Sequence, residues 1–80
     1  MYYVYVLKSL KDESIHIGCT GNVAKRLELH NAGKVSFTKN KRPLQVIYQE
    51  EVVDKYKAFS IERFYKTPRG QSVLKKKIDS

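Results

Sequence analysis

The chain has 80 residues, the length of one small domain, and its 16 Lys and Arg stand against 8 Asp and Glu for a formal net charge of +8. With 41% hydrophobic residues and six tyrosines, a folded core is expected rather than disorder, and no apolar run reaches the roughly 18 residues that a membrane-spanning helix needs. One cysteine, Cys19, forms no internal disulfide and builds no zinc site alone, so a reducing cytoplasm is the expected setting.

In chain order, Tyr2 to Lys8 alternates aromatic and β-branched residues and reads as a strand. The same stretch lacks the basic segment and small-residue cleavage site of a signal peptide. Ser9 to Ser14 is polar and turn-like, and Ile15 to Cys19 reads as a second strand, the two forming a hairpin with a long loop. On that strand Ile15, Ile17 and Cys19 point one way, His16 and Gly18 the other. Gly18 weakens a strand unless something must approach its backbone closely. A helix is expected from Val23 to Asn31, capped by Thr20 or Asn22 and ended by Asn31 and Gly33, with Val23, Ala24 and Leu27 as its inward stripe. Arg26 and His30, four apart, share a face of it.

Lys34 to Arg42 is a basic loop, and Pro43 opens a third strand over Leu44 to Gln49. A second helix is expected from Val52 or Val53 to about Lys66, with Tyr56, Ala58, Phe59, Ile61, Phe64 and Tyr65 as buried positions. Thr67 caps a last short helix that has Pro68 at its first position and runs to about Lys77. Its Lys75-Lys76-Lys77 run reads as a frayed, solvated end. The order ββαβαα predicts an α+β fold, a small three-stranded antiparallel sheet flanked by helices, in one domain over residues 1–80.

The excess charge is spread along the chain: residues 1–40 carry six bases and three acids, residues 41–80 ten and five. Such a field attracts polyanions, although basic composition alone also suits a protein whose charge only prevents aggregation. Four groups stand out once the elements are placed: Tyr5 on the first strand, His16 on the second, Arg26 on the first helix and Glu62 on the second. Cleaving a phosphodiester takes a group that orients or deprotonates water, a cation that neutralises the pentavalent phosphate, and often a metal ion at the leaving oxygen. Each residue also has an ordinary reading. Tyr5 suits packing, His16 a strand surface, Arg26 a solvated helix face, and Glu62 an ion pair with Lys66 at i+4.

Taken together, YVYVLKS (Tyr3 to Ser9), IGCTGN (Ile17 to Asn22), KRLELHNAGK (Lys25 to Lys34), TKNKRPLQVIYQEE (Thr38 to Glu51) and KAFSIERFYK (Lys57 to Lys66) resemble the GIY-YIG nuclease superfamily. Within it the likeness is to small single-domain bacterial proteins related to the nuclease domain of the excision-repair protein UvrC. The resemblance implies a metal-dependent endonuclease that hydrolyses nucleic-acid strands, with DNA as the expected substrate and one Mg²⁺ or Mn²⁺ bound mainly together with substrate. It implies that Tyr5, His16, Arg26, His30 and Glu62 form the catalytic set, Glu62 being the metal ligand. Tyr3-Val4-Tyr5 stands where the first signature has Gly-Ile-Tyr, and His16 stands where the second has its tyrosine. A neutral imidazole accepts a proton near pH 7, where a phenol of pKa about 10 does not, so the exchange either preserves base function or weakens the site. Lys39, Lys41, Arg42 and Arg63 are the expected backbone contacts, which position a strand without reading its bases. A non-catalytic nucleic-acid-binding module and a protein-interaction adaptor remain the alternatives.

Overall fold

A computed structural model describes residues 1–79; Ser80, the last residue of the expected domain, lies outside the described residues. Strands β1 (Tyr2–Ser9) and β2 (Ile15–Thr20) form a hairpin, followed by helix α1 (Val23–Asn31), a 3₁₀ turn at Lys39–Lys41, strand β3 (Leu44–Val52), and helices α2 (Lys55–Tyr65) and α3 (Pro68–Asp79). The sheet is antiparallel throughout, in the order β2-β1-β3. The expected α+β architecture is the observed one, with the 3₁₀ turn added inside the basic loop.

β1 is central because it is apolar on both sides. Val4 and Val6 join Ile17, Val52, Ala58, Tyr65 and Leu74 in one core, while Tyr5 and Leu7 join Leu44 in another, against Val23 and Leu27 of α1. An inner strand covered on both faces reads as a continuous apolar run, and Tyr2 to Leu7 is one. The sheet is thus sandwiched, α1 on one face and α2 with α3 on the other. The pairing of β1 with β3 shifts between Val6, opposite Tyr48, and Leu7, opposite Val46. Ile47 is the extra residue of this bulge and joins Tyr48 against the α2–α3 core.

Local signals set the helix ends. Asn22 caps α1 by accepting from the Lys25 amide at 3.0 Å, and Gly33 follows the helix at φ +77°. Asp54, accepting from the Lys57 amide at 2.8 Å, starts α2 later than the expected Val52 or Val53, which belong to β3 and the bend after it. The expected inward stripes are partly corrected. Ala24 is exposed, and of the six α2 candidates only Ala58 and Tyr65 are buried, with Ile61 half-buried. Tyr56 is 74% exposed, and Phe59 and Phe64 are each 41% exposed. The sheet covers only one side of α2, and Phe59 reaches it through an edge contact with the Tyr2 ring.

The end of α3 is also corrected. Lys77 donates to the Tyr65 hydroxyl at 2.7 Å and lies 3.3 Å from Glu50 on β3, whose Oε1 also accepts from Tyr48 at 2.9 Å and Tyr65 at 2.6 Å. This cluster ties α2 and α3 to the sheet. The α2–α3 corner is held tightly at Gly70, where an added Cβ would stand 1.7 Å from the backbone oxygen of Phe64. Alanine in a helix is ordinarily favoured over glycine by up to about 1 kcal/mol. Here the obstacle is backbone, so the clash outweighs that gain. Gly70→Ala is expected to destabilise the protein by about 1–3 kcal/mol in urea unfolding, as overpacking typically does; unchanged or raised stability would show that the corner opens freely.

Candidate nuclease site

The hairpin register sets Tyr5 opposite Gly18. The Tyr5 ring, only 2% exposed, lies across the glycine so closely that a Cβ there would stand 2.6 Å from the phenol oxygen. That close approach is the reason for a glycine inside a strand. The Arg26 guanidinium on α1 is close enough to the phenol to favour its ionised form. Burial raises the Tyr5 pKa, and the opposing effect of Arg26 is smaller, so the phenol is protonated at neutral pH.

His16, from the neighbouring position on the α1 face of β2, is half-buried, and its ring lies 5.4 Å from that of His30. His30 is fully buried, its ring 6.3 Å from the Tyr5 ring. Burial, and then the Lys66 charge, lower the His16 pKa; burial, and then His16 and Arg26, lower that of His30 to about 4. Both imidazoles are therefore neutral at pH 7. His30 Nδ1 is 2.7 Å from the hydroxyl of Thr38, which is also buried, while His30 Nε2 has no partner. The hydrogen between Thr38 and His30 has two possible placements. If Thr38 donates to Nδ1, only the Nε2 hydrogen is unmet. If Nδ1 donates to Thr38, both the Nε2 lone pair and the hydroxyl hydrogen are unmet. An unsatisfied buried polar group costs about 1–3 kcal/mol, so the first placement is favoured and Nε2 carries the hydrogen.

Glu62 arrives from α2, on the other face of the sheet. Its Oε1 accepts from the thiol of Cys19 on β2 at 3.0 Å, and its Oε2 accepts from Lys66 at 2.7 Å. β2 is an edge strand, so little of the sheet screens a charge on the α2 face from the α1 face there. The Glu62 charge raises the pKa of Tyr5 and opposes the lowering at His16, so the carboxylate is within electrostatic reach of both. Burial pushes the Glu62 carboxyl upward, but the hydrogen bonds from Lys66 and Cys19 outweigh it and keep the group ionised. Cys19 is the reverse case: burial, then the Glu62 carboxylate, push its thiol up to about 12, so it donates rather than ionises.

The donor set suits a hard divalent cation held by one carboxylate. Glu62 is anionic, its side chain is 21% exposed, and it already holds a cation, the Lys66 ammonium. No three His, Cys, Asp or Glu converge among the described residues, so most of such an ion's shell would come from water and substrate, as is usual for Mg²⁺.

The structure thus brings Tyr5, His16, Arg26 and His30 together on the α1 face, while Glu62 stands on the α2 side of β2, against Cys19, and acts on Tyr5 and His16 through its charge. The four cations expected to touch a backbone are not brought together. Lys39 and Arg42 share a cleft at the far end of α1. Lys41 is paired with Asp12 at 2.8 Å, and Arg63 lines a small surface cavity beside Phe59, Glu62 and Lys66. Sequence reasoning missed Thr38 and Cys19 as the Glu62 donor, while the expected Glu62–Lys66 pair at i+4 is present at 2.7 Å. For Cys19 a signal existed: it shares the Ile17 side of β2, which faces α2. Thr38 gave none, being one polar residue in a polar loop.

The hydrogen placement on His30 is open to measurement. Nitrogen-15 spectra of the imidazole are expected to show Nε2 protonated and Nδ1 unprotonated, in the wild type and in Thr38→Ser. Thr38→Val should lose that preference and about 1–3 kcal/mol of stability. A wild-type His30 protonated on Nδ1 would refute the placement.

Residues 1–77 match the family model described as the GIY-YIG catalytic domain. The chain is 43% identical over 75 residues to a UPF0213 protein of Staphylococcus haemolyticus, covering 92% of this chain and 90% of the relative. It is 40% identical over 77 residues to a UPF0213 protein of Lactiplantibacillus plantarum, covering 92% and 75% respectively. A UPF0213 protein of Clostridium perfringens is 40% identical over 67 residues, covering 82% and 71%. No solved structure matches the chain. With the fold, the Tyr5–Gly18 contact and the match over nearly the whole length, the chain belongs to the GIY-YIG family, whose domain has a nuclease-type fold.

Proposed function

We propose that this protein is a metal-dependent endonuclease that hydrolyses phosphodiester bonds of nucleic acid, DNA in the first instance, with residues 1–80 acting as one catalytic unit. What supports the reading is that the Glu62 charge is felt by both Tyr5 and His16 across the β2 edge, and that Arg26 acts on the same phenol. A cation, an ionised carboxylate and two groups able to handle a proton act on one another there. A phosphodiester needs this combination and a packing cluster does not.

In this reading the Arg26 guanidinium donates to the scissile phosphate, a contact its planar fork favours. The neutral His16 accepts a proton from the attacking water, and Tyr5, still protonated, orients that water or the phosphate through its hydroxyl. His30 sits behind His16 as a buried neutral support. Glu62 would hold Mg²⁺ or Mn²⁺ in place of the Lys66 ammonium it now binds. A bound divalent cation would supply charge neutralisation at the phosphate and the leaving oxygen. Lys39, Arg42 and Arg63 are backbone contacts in the same reading, and Lys41 is the weakest of the four because Asp12 already neutralises it. Contacts of this kind give little sequence specificity. One observation favours a non-catalytic binding module instead: both Glu62 oxygens are already engaged, by Cys19 and Lys66.

The decisive assay incubates purified protein with plasmid DNA and Mg²⁺ or Mn²⁺ beside Glu62→Ala. Nicking by the wild type and its loss by at least about a hundredfold in the variant, with DNA binding retained, is the expected result. Equal binding with no nicking from either protein makes the chain a binding module. Because burial and Lys66 lower the His16 pKa, the acid limb of nicking should lie below the ordinary imidazole value of 6.5. A limb above that value would show that His16 is not the base. His16→Tyr is expected to keep or raise activity, and a collapse would mean that the imidazole has a role a phenol does not fill.

A further inference from the structure

Away from Tyr5 and Arg26, the molecule has a second concentration of unneutralised charge. Lys11, Lys39 and Arg42 wall a cavity of about 410 Å³ together with Asn31, Asn40 and Pro43, and no carboxylate lines it. The three cations come from separate parts of the chain, the hairpin loop and the loop before β3, and buried contacts hold those loops together. Ser9, fully buried, donates to the Lys41 carbonyl at 2.6 Å. The Leu10 amide donates to the Pro43 carbonyl at 2.9 Å. The Asn31 side chain clamps the Leu44 backbone from both sides, at 2.8 and 3.0 Å.

Arg42 is aimed as well as placed. Its Nε donates to the Lys39 carbonyl at 2.8 Å. Its guanidinium lies against Gly33, where a Cβ would stand 3.0 Å from Nη1. The positive φ of Gly33 makes glycine the natural occupant in any case. Fixed through Nε, Arg42 has its other guanidinium nitrogens left for an anion. Among the described residues Lys11 donates only to the Asn40 carbonyl, at 3.3 Å, so neutral oxygens orient these cations without cancelling their charge. Lys41, in the same loop, shows the contrast, since Asp12 neutralises it. The plain alternative is that the cations answer the negative end of α1, which Asn31 closes. That end carries about half a unit charge, too little for three cations.

Resting on the reading that the chain engages nucleic acid, we propose that the Lys11–Lys39–Arg42 cleft is a second phosphate-binding site, which takes a backbone phosphate of the same strand away from the scissile one. Arg26 and Asn31 are five residues apart on α1, about 8 Å along its axis at the α-helical rise though on different sides of it, so a strand that engages both regions crosses the helix rather than running along one face. The cleft would fix which part of a strand is drawn across Tyr5, and it would do so without reading bases.

The test measures binding of a fluorescein-labelled DNA oligonucleotide across a salt series, in EDTA, by the Glu62→Ala protein. Into this protein Lys11→Ala, Lys39→Ala or Arg42→Ala is added, with Lys75→Ala on α3 as a control of equal charge change. Each cleft substitution is expected to lower the slope of log affinity against log salt by about 1, and Lys75→Ala to leave it unchanged. Unfolding midpoints are compared to confirm that each variant is folded. Cleft variants that are folded and match Lys75→Ala overturn the site. So does inorganic phosphate displacing the oligonucleotide at equal phosphate concentration, which would make the cleft a free-anion site. Failure of the site and failure of the hydrolytic reading are separable: wild-type nicking with unaltered slopes sinks only the cleft, and lowered slopes without nicking sink only the hydrolysis.

Discussion

The contact on which the site depends is the Tyr5 ring lying across the backbone of Gly18. It fixes the β1–β2 register, because a slip of one residue would turn Tyr5 into the α2–α3 core and bring a side chain under it. It also sets the depth of the phenol, which brings it within the electrostatic influence of Arg26 on α1. His16 and His30 take their positions from the same arrangement, His16 as the next inward residue on β2 and His30 packed beside both rings.

A three-stranded sheet has two edges, and an edge strand usually needs protection from pairing with another chain. Here the β2 edge is the place where the two faces of the sheet meet chemically. Cys19 points toward α2 and donates to Glu62, while His16 points toward α1, and the carboxylate charge is felt on both sides. A central strand would have screened α2 from α1. The same edge explains why Glu62 stays ionised despite partial burial: it holds a thiol hydrogen on one oxygen and an ammonium on the other. A surface lysine–glutamate pair adds little stability, generally about 0–1 kcal/mol, so little would be lost when a stronger cation takes its place.

What could be read from the sequence follows from how local each signal is. The apolar run of β1, the glycine in β2, the Asn22 cap and the Thr67-Pro68 start are written in a few adjacent residues, and each gave its element correctly. α2 was harder to read because its aromatic residues surround the helix, and only tertiary contact shows which of them the sheet covers. Tyr56 and Phe64 therefore passed for core residues. Lys77 passed for a solvated residue because its partners, Glu50 and Tyr65, lie 27 and 12 residues away. Thr38 was invisible for the same reason: nothing in a basic loop marks one hydroxyl as the partner of a buried imidazole. The candidate site was legible only through several short motifs in a fixed order, since each residue alone has an ordinary structural explanation.

Net charge gave the sign of the protein's field but not its shape. The shape comes from where the acids are placed. Asp12, Glu13, Glu50 and Glu62 each pair with a lysine, at Lys41, Lys8, Lys77 and Lys66. Among these, Asp12 and Glu62 matter most for an approaching polyanion, because they quench single lysines beside the two basic regions and leave Arg26, Arg42, Lys11 and Lys39 in no ion pair with a carboxylate among the described residues. Arginine is the better occupant of such positions, since its planar fork meets a phosphate with two parallel hydrogen bonds while an ammonium acts as a point charge. Arg26, within α1 and beside a phenol, and Arg42, in the loop past the end of that helix and against a glycine, therefore offer a strand two fixed guanidinium groups whose separation the fold keeps.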